Sequence, residues 1–304
     1  MANRWQKFKN NPLIVLKYVW DRLAPFIKDD VFYSKVRYFL YMHEFLNLEH
    51  PTTYSEKLQW IKLYYHNPEY TRLVDKLAVK EYVSEKIGSE YIIPTLAVYD
   101  RVEDIDFEKL PQQFVLKCIH DSGGLVICKD KAKLDINKAK EKLSTSLKRD
   151  YYIRTREWPY RDVPKKIIAE QYMEDEEYHE LRDYKFFCYG GVPKTLFIAA
   201  NRSSKNSEMT IDFFDMEFNN LHIISGHPNS TTEIQKPKCF DEMKQLATKL
   251  SEGMPEVRVD FYEVNGKVYF GEFTFFNNGG HRKYKPNKWN KIFGDWIVLP
   301  EKML

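Results

Sequence analysis

The spacing of apolar residues changes along the chain, from a helical period to short runs that are typical of strands. Between residues 12 and 48, Leu, Ile, Val, Tyr and Phe recur at helical spacing, with a break at Pro25. The same spacing predicts helices over residues 55–67 and 71–87. Strand-like runs begin near Ile92, so the pattern predicts a helical region in front of a longer, strand-rich region.

Two details of the predicted helices bear on structure and chemistry. Ser55 followed by Glu56 is typical of a capped helix start, and Gly88 is typical of a helix end. Lys76 and Lys80 are spaced i, i+4, so a continuous helix would place both ammonium groups on one face. An anion between them would offset their repulsion, and a solvated basic face is the alternative.

The strand-rich region consists of short apolar runs separated by glycine-containing or polar turns. Strands are predicted over residues 114–119, 125–128, 166–173, 184–189 and 194–200, and helices over residues 134–151 and 241–252. The turn between the first two strands, His120–Gly124, contains two glycines, which let backbone N–H groups approach a phosphate. Lys117 lies in the apolar strand before that turn, where an unpaired ammonium would be costly, so a phosphate is a candidate ligand.

An acidic segment follows the predicted strand 166–173. Residues 174–183 hold six carboxylates, opposed only by Arg182. We expect the strand to end at an exposed sheet edge, where backbone N–H and C=O groups can pair with an adenine. A carboxylate just beyond the strand can accept hydrogen bonds from ribose hydroxyls.

The segment Val257–Gly280 is predicted to contain a β-hairpin, because runs of β-branched and aromatic residues flank Asn265-Gly266. Each arm carries one carboxylate in apolar surroundings, Asp260 on the first and Glu272 on the second. Two buried carboxylates side by side are costly unless a cation or hydrogen bonds compensate them. A cation held by oxygen ligands alone would be Mg²⁺ or Mn²⁺.

The turn of this hairpin decides whether the two carboxylates share a face. A two-residue turn would place Asp260 opposite Gly271 and would turn Glu272 to the other face. A three-residue loop ending in Gly266 as a bulge would place both carboxylates on one face. The metal-site interpretation therefore requires a bulged hairpin. The alternative is a hairpin with one solvated carboxylate and the other in a salt bridge.

Composition and charge narrow the class of protein. The chain of 304 residues, 43% hydrophobic and 30% charged, is typical of a soluble globular protein with two or three subdomains. The first 40 residues hold eight Lys/Arg against three Asp/Glu, and with Trp5 and Trp20 they suit an anionic membrane surface. Such a segment more often packs on its own domain. We expect no nucleic-acid partner.

The apolar run near the N-terminus is too short and too charged to span a bilayer, and no signal peptide is predicted. The four cysteines show no metal-binding spacing and lie mostly in apolar runs. A reduced, cytoplasmic protein is therefore expected, with the inner face of the membrane as a further location if the basic N-terminus makes a peripheral contact.

Several motifs, taken in chain order, resemble the ATP-grasp superfamily. They are Lys80, Lys117, the glycine turn, Glu170–Met173, Asp260 and Glu272. Within that superfamily, Leu46–Leu63 and Asp183–Phe186 are similar to the TupA-like ATP-grasp proteins of bacterial surface-polysaccharide biosynthesis. The similarity extends from about residue 30 to the C-terminus.

The resemblance implies an α+β fold in which two α+β subdomains clasp ATP, preceded by a helical N-terminal region. On this basis the helical region covers residues 1–70 and the ATP-grasp domain residues 71–304. The domain would comprise a lid subdomain at about 111–170 and a catalytic subdomain at about 171–304.

The resemblance also implies roles for individual residues. The implied phosphate-binding residues are Lys80, Lys117, Ser122, Gly123 and Gly124, the adenine-binding residues are Glu170, Gln171, Tyr172 and Met173, and Glu177 would hold ribose. Asp260 and Glu272 would ligate Mg²⁺, with Mn²⁺ as a substitute. Many ATP-grasp enzymes carry Glu-x-Asn at the second carboxylate, whereas Thr274 stands here, so Asn277 or Asn278 is the candidate third ligand.

The chemistry implied is carboxylate activation. A substrate carboxylate attacks the γ-phosphate, and an amine then displaces phosphate from the acylphosphate to form an amide. Arg202, Lys185 and Arg258 are candidates for binding the substrate carboxylate and the developing charge, or alternatively ion-pair partners of the acidic segment. The expected substrates are an amine and a small-molecule or glycan-linked carboxylate, such as a uronic acid or amino acid of a capsule or surface polysaccharide.

Two other functions compete with this one. A glycosyltransferase would need Asp-x-Asp at the end of a strand in a βαβ region, and the match, Asp104-Ile-Asp106, lies in a charged stretch without that pattern. A non-catalytic nucleotide-binding or membrane-surface scaffold is favoured only by the basic, aromatic N-terminus.

Overall fold

The computed structural model describes residues 12–177, 181–200 and 209–304. The helices that precede its first strand are α1 Pro12–Leu23, α2 Asp30–Met42, α3 Tyr54–Tyr64, α4 Glu69–Val74 and α5 Val79–Ile87. A capping box starts α3: the Thr53 side chain accepts from the Glu56 N–H, and the Glu56 carboxylate accepts from the Thr53 N–H. The predicted cap at Ser55 is therefore two residues too late.

The predicted helix over residues 71–87 is two helices. The backbone of Asp75 is extended, with ψ 113°, and its carboxylate accepts from the N–H groups of Leu77 and Ala78 at 2.8 and 3.2 Å. This side chain satisfies backbone donors at the break and lets α5 begin afresh. Lys76 lies in the break, so the prediction that it shares a helix face with Lys80 is wrong.

A first antiparallel sheet has the strand order β1-β4-β2-β3. Its strands are β1 Thr95–Tyr99, β2 Phe114–Cys118, β3 Leu125–Cys128 and β4 Ile167–Gln171. Helix α6, Ile136–Leu147, packs against β2 and β3 over a small apolar core that includes Leu116 and Leu143. Because β4 pairs with strands on both sides, the prediction that it lies at an exposed edge is wrong. At its C-terminal end, the predicted strand 166–173 leaves the sheet after Gln171, so residues 172 and 173 are not paired in it.

A second antiparallel sheet has the order β7-β6-β5-β8-β9. Its strands are β5 Asp183–Tyr189, β6 Val192–Ala200, β7 Thr210–Phe214, β8 Glu256–Val264 and β9 Lys267–Thr274, and the remaining helices are α7 Tyr151–Thr155, α8 Phe240–Leu250 and α9 Lys288–Trp296. Helix α8 covers one face, with Phe240 against Phe186 at a ring separation of 5.9 Å. Part of the other face packs on α3 and α9 through Tyr54, Phe187 and Phe293.

The two sheets and their helices confirm the predicted α+β class. The largest core combines α3, α5, α8 and the second sheet, so apolar packing crosses the predicted boundary at residue 70. The domain limits stay a prediction. In the described residues no helix combines the length and apolarity needed to cross a bilayer.

The hairpin β8–β9 differs from its predicted form at the turn. Asn265 and Gly266 have φ values of 51° and 73°, and Val264 pairs directly with Lys267, which is a two-residue turn. The predicted bulge at Gly266 is therefore wrong. The register shifts further along, where Gly271 is the additional residue, and this bulge brings Glu272 directly opposite Asp260. The prediction that the two carboxylates share a face is confirmed.

Candidate functional site

A cavity of about 560 Å³ is lined by both sheets and by the chain around α5. The first sheet contributes Lys117 and Glu170, and the second contributes Lys185 and Glu272. Apolar residues that also line it include Ile93, Val115, Ile127, Leu181 and Phe270. The cavity therefore combines an apolar wall with charged groups from both sheets, as is typical of a ligand site.

Two lysines share one carboxylate on the first-sheet side, and we name Lys80, Lys117 and Glu170 the Glu170 cluster. The ammonium of Lys80 is 2.5 Å from Glu170 Oε1, and that of Lys117 is 2.6 Å from Oε2. Burial favours protonation of Glu170, but the two lysines outweigh it and hold its pKa below the ordinary value. The cluster keeps one excess positive charge.

Sheet register and one helix assemble the Glu170 cluster. Glu170 is the Cα partner of Val115, two residues before Lys117, so Glu170 and Lys117 are diagonal neighbours on one face. Lys80 extends from α5 to the carboxylate, and its ammonium also donates to the Ile93 carbonyl at 2.8 Å. Burial lowers the pKa of Lys80, and Glu170 opposes that shift.

The glycine turn Ser122–Gly124 lines the cavity beside Lys117. A Cβ on Gly124 would lie 2.4 Å from Ser146 Oγ and 2.7 Å from Cys118 Cβ, so close packing requires glycine there. Lys76 donates to the Asp121 carbonyl at 2.6 Å and places a third ammonium on the cavity wall. Contrary to the prediction, Lys76 does not share a helix face with Lys80, but it does line the cavity.

Residues Glu170–Met173, the predicted adenine segment, also line the cavity. Lys129 lies beyond the end of β3, 5.4 Å from the ring centroid of Tyr172 and 2.6 Å from Glu174. Sequence reasoning missed Lys129, although a basic residue that directly follows a cavity-lining strand is a usable signal. Glu177, the predicted ribose ligand, lies outside the cavity lining and pairs with Lys238 at 2.8 Å.

A second ionic centre, which we name the Asp260 cluster, consists of Asp260, Arg258 and Lys185. Arg258 donates to Asp260 through Nε at 2.7 Å and Nη2 at 2.8 Å, and Lys185 donates to Oδ2. Asp260 has no exposed surface. Burial favours its protonation, but Arg258 and Lys185 hold its pKa below the ordinary value. The same burial lowers the pKa of Lys185, which Asp260 opposes.

Strand register explains how these charges meet. Lys185 on β5, Asp260 on β8 and Glu272 on β9 are direct partners across three adjacent strands. Such residues point to the same face of a sheet. Lys185 also lies 3.4 Å from Asp183, which belongs to the acidic segment.

The predicted metal ligands differ in how far they are already engaged. The Glu272 side chain is 47% exposed, lines the cavity and has Arg258 Nη2 3.6 Å from its Oε1. Both oxygens of Asp260 accept hydrogen bonds from cations, and Asn277 Oδ1 accepts from Arg258 Nη1 at 3.0 Å. Within the described ranges, no three His, Cys, Asp or Glu side chains form a group that could hold a metal.

The oxygen chemistry of this donor set suits Mg²⁺, and Glu272 offers it a carboxylate in the cavity. Asp260 already accepts hydrogen bonds from Arg258 and Lys185, so it can bind a metal ion only through its remaining lone pairs. Asn277 Oδ1 can bind a metal ion only while it also accepts from Arg258. Arg202, the remaining predicted catalytic residue, lies outside the described residues.

Several solved structures resemble the chain at low sequence identity. A D-alanine–D-alanine ligase from Bacillus anthracis complexed with ATP shares 14% identity over 72% of this chain and 57% of its own, with a TM-score of 0.38. The Helicobacter pylori D-alanine–D-alanine ligase shares 12% identity over 74% and 61%, with a TM-score of 0.43. An ATP-grasp RimK domain protein from Sphaerobacter thermophilus shares 10% over 75% and 69%, with a TM-score of 0.41.

The chain thus spans about three fifths of the length of the two D-alanine ligases. A search of curated proteins gave no match. A family model described as TupA-like ATPgrasp matches residues 56–298. Because that match covers most of the chain, the protein belongs to the TupA-like ATP-grasp family.

Proposed function

We propose that the protein is an ATP-dependent carboxylate–amine ligase that forms an amide through an acylphosphate. The observation that carries the proposal is the excess positive charge of the Glu170 cluster, which faces the same cavity as the exposed carboxylate of Glu272. The lysines of the Glu170 cluster can bind the negative oxygens of a polyphosphate, and the Glu272 carboxylate can bind the divalent cation that accompanies it. Membership of the ATP-grasp family supports the same assignment.

In this proposal the nucleotide lies along the first sheet. Lys80 and Lys117 exchange part of their contact with Glu170 for phosphate oxygens, and Ser122–Gly124 covers the phosphates from the other side. Adenine lies against the apolar wall, next to the backbone of Gln171–Met173. Glu177 would hold ribose only after it leaves Lys238, which is a surface pair of low energetic value.

Residues of the second sheet would assist transfer of the phosphoryl group. Mg²⁺, or Mn²⁺ in its place, would be held by Glu272 and Asp260, with Asn277 as the proposed third ligand, and would neutralise phosphate charge. Arg258 and Lys185 are fixed on Asp260; Lys185 lines the cavity and Arg258 lies 3.6 Å from Glu272, so both would place positive charge near the transferred phosphoryl group. The substrate carboxylate is itself the nucleophile, so positioning is the main catalytic requirement of the protein.

The proposed acceptor is a uronic acid or amino acid component of a bacterial capsule or surface polysaccharide, and the second substrate is an amine. Support for this finer assignment is the resemblance of Leu46–Leu63 and Asp183–Phe186 to the TupA-like proteins. The glycosyltransferase alternative loses its motif, because Asp104 and Asp106 lie outside the cavity lining and pair with Arg101 and Lys109 on the surface.

Calorimetry with ATP and a non-hydrolysable analogue, with and without Mg²⁺, tests nucleotide binding. Lys109→Ala is the control, since this lysine is exposed and pairs only on the surface. A panel of uronic acids, amino acids and amines then tests release of ADP and phosphate. Absence of nucleotide binding in every condition would refute the proposal, and turnover of a sugar nucleotide without ADP release would favour the glycosyltransferase.

We also propose that α1 contacts an anionic membrane surface at the cytoplasmic face. Leu16, Val19 and Leu23 of α1 expose 51, 47 and 42% of their surface, and Phe26, just beyond the helix, exposes 81%, although apolar helix faces are normally covered. The first 20 residues carry four Lys/Arg and no Asp/Glu, which complements anionic lipid.

Sedimentation with vesicles of phosphatidylglycerol or phosphatidylcholine tests this contact. Binding to the anionic vesicles alone is expected, and Leu16→Ser with Val19→Ser should abolish it. Val298→Ser, at an apolar position that is 79% exposed and far along the chain, is the matched control. Equal sedimentation of all proteins without dependence on lipid charge would overturn this part of the proposal.

A further inference from the structure

We infer that Gln59 and Lys62, on α3, are positioning residues that set the shape of the loop Asn277–His281 behind the Asp260 cluster. The inference rests on the proposed function for its catalytic consequence, but its structural part stands alone. Both residues belong to Leu46–Leu63, a motif that neither the nucleotide nor the metal assignment uses.

The contacts from α3 to the loop are buried hydrogen bonds. Gln59 Nε2 donates to the carbonyls of Gly279 at 2.9 Å and Gly280 at 3.0 Å. Lys62 Nζ donates to the Gly279 carbonyl at 3.0 Å and to the Thr155 carbonyl at 3.3 Å. Gln59 is fully buried and Lys62 is 2% exposed. Because a buried amino group is costly unless it is hydrogen-bonded, Lys62 is expected to serve these acceptors rather than to fill space.

The loop needs this support because its backbone is unusual. Asn278, Gly279 and Gly280 have φ values of 55°, 65° and 75° in succession. The left-handed backbone is unfavourable at Asn278, and the two glycines lose conformational entropy when their backbone is fixed. A Cβ on Gly280 would lie 2.6 Å from Gln59 Nε2, so glycine is required for the close approach to α3.

The loop transmits its position to the Asp260 cluster. Asn277, its first residue, accepts from Arg258 Nη1 at 3.0 Å, and the same guanidinium donates to Asp260 and to Thr274 Oγ1. Hydrogen bonds therefore hold the loop at both ends, to α3 at Gly279 and to Arg258 at Asn277, and the loop backbone connects the two. We assign to this connection the orientation of the guanidinium toward the reacting phosphoryl group, because small displacements of a catalytic group lower the rate strongly.

The same helix offers a matched control. Lys57 Nζ donates to the Ile297 carbonyl at 2.8 Å, so Lys57→Met removes a lysine-to-carbonyl bond from α3 without touching the loop. Gln59→Met and Lys62→Met remove the loop contacts and keep the approximate side-chain volume. Thermal unfolding identifies any variant that fails to fold. If Gln59→Met fails, Lys62→Met decides the question, because it removes a buried amino group at nearly constant volume.

The first measurement is amide hydrogen exchange over residues 276–282. We expect exchange to be faster by about tenfold in Lys62→Met, which loses one hydrogen bond to the loop, faster still in Gln59→Met, which loses two, and unchanged in Lys57→Met. The second is turnover: kcat should fall about tenfold or more, while the Kd for ATP and the KM for ATP stay within about twofold.

The outcomes separate this inference from the proposed function. Unchanged exchange in both loop variants would overturn the inference, as would an equal loss of kcat in Lys57→Met. A wild-type protein without ATP turnover would refute the proposed function, while the exchange result would still decide whether α3 shapes the loop.

Discussion

The Glu170 cluster and the Asp260 cluster lie on different sheets, each contributes to the lining of one cavity, the second through Lys185, and they differ in burial. In the first, two lysines share one carboxylate, and the side chains of Lys80 and Lys117 remain 16 and 23% exposed. In the second, Arg258 and Lys185 share Asp260, their side chains are only 10 and 9% exposed, and Asp260 is buried completely.

This difference separates two tasks that charged residues perform. Lysines that keep some exposure exchange partners more easily than buried cations do, which suits a site that must accept and release phosphates. A fully buried carboxylate that two cations share resists removal, since its loss leaves both cations in the interior without that partner. The first cluster should therefore show its importance in binding, and the second in stability.

The largest effect is expected when the buried cluster loses its carboxylate. Asp260→Asn should lower the free energy of unfolding by about 3–5 kcal/mol, because Arg258 and Lys185 would stay buried without their shared partner. Denaturant unfolding without nucleotide measures the change. Asp295→Asn, which removes the exposed partner of Lys291, is the control and should cost less than about 1 kcal/mol. Equal losses in both variants would contradict the comparison.

The Glu170 cluster should respond through binding. Lys117→Ala should weaken ATP binding by about 1.5–3 kcal/mol, roughly ten- to a hundredfold, because a charge-assisted phosphate contact is lost. Lys117→Arg should lose less, since the charge is kept. Calorimetry measures both affinities. A fall in the nucleotide-free thermal midpoint as large as that of Asp260→Asn would show that Lys117 is structural.

Acid provides a third way to separate the clusters. Since the pKa of Asp260 is held below 3.8, its stabilising contribution is complete above that pH and is lost as pH falls through the folded-state value. The stability gap between wild type and Asp260→Asn should be constant near neutral pH and should narrow below pH 3.8, at up to about 1.4 kcal/mol per pH unit. Urea unfolding over an acidic pH series measures this gap, and a gap that widens with acid would contradict the assignment.

The smallest effect on the nucleotide-free protein is expected at Glu272. Glu272→Gln should change the free energy of unfolding by less than about 0.5 kcal/mol, because the side chain is half exposed and only loosely paired with Arg258. The rise in thermal midpoint that Mg·ATP gives the wild type should nevertheless be largely lost. A variant that keeps the full rise would place the metal elsewhere.

Much of the fold was readable from the sequence because local signals were strong. The break at Pro25, the end of a helix at Gly88 and the glycine turn after Lys117 all coincide with real boundaries. The split of the helix at Asp75 was missed, because a side chain that caps backbone N–H groups resembles an ordinary helical residue in a pattern of apolar spacing.

The site was predicted unevenly for a physical reason. Residues whose side chains are unfavourable among their sequence neighbours, such as Lys117 in an apolar strand, could be identified without knowing their contacts in the fold. Their partners could not, since the contacts of Lys80 with Glu170 and of Arg258 with Asp260 depend on register and on packing between distant segments. The support that Gln59 gives to Gly279 joins residues 220 positions apart and leaves no local trace.

The bulge at Gly271 has a consequence for insertions and deletions in this hairpin. Without Gly271 the two registers of β8 and β9 would merge into a single regular ladder, and Asp260 would still face Glu272. The pairing of the carboxylates and the local bend of the strand are thus separable properties of the hairpin. A one-residue deletion could straighten the strand and leave the charged face in place, so the backbone curvature beside the cavity can be varied independently of its chemistry.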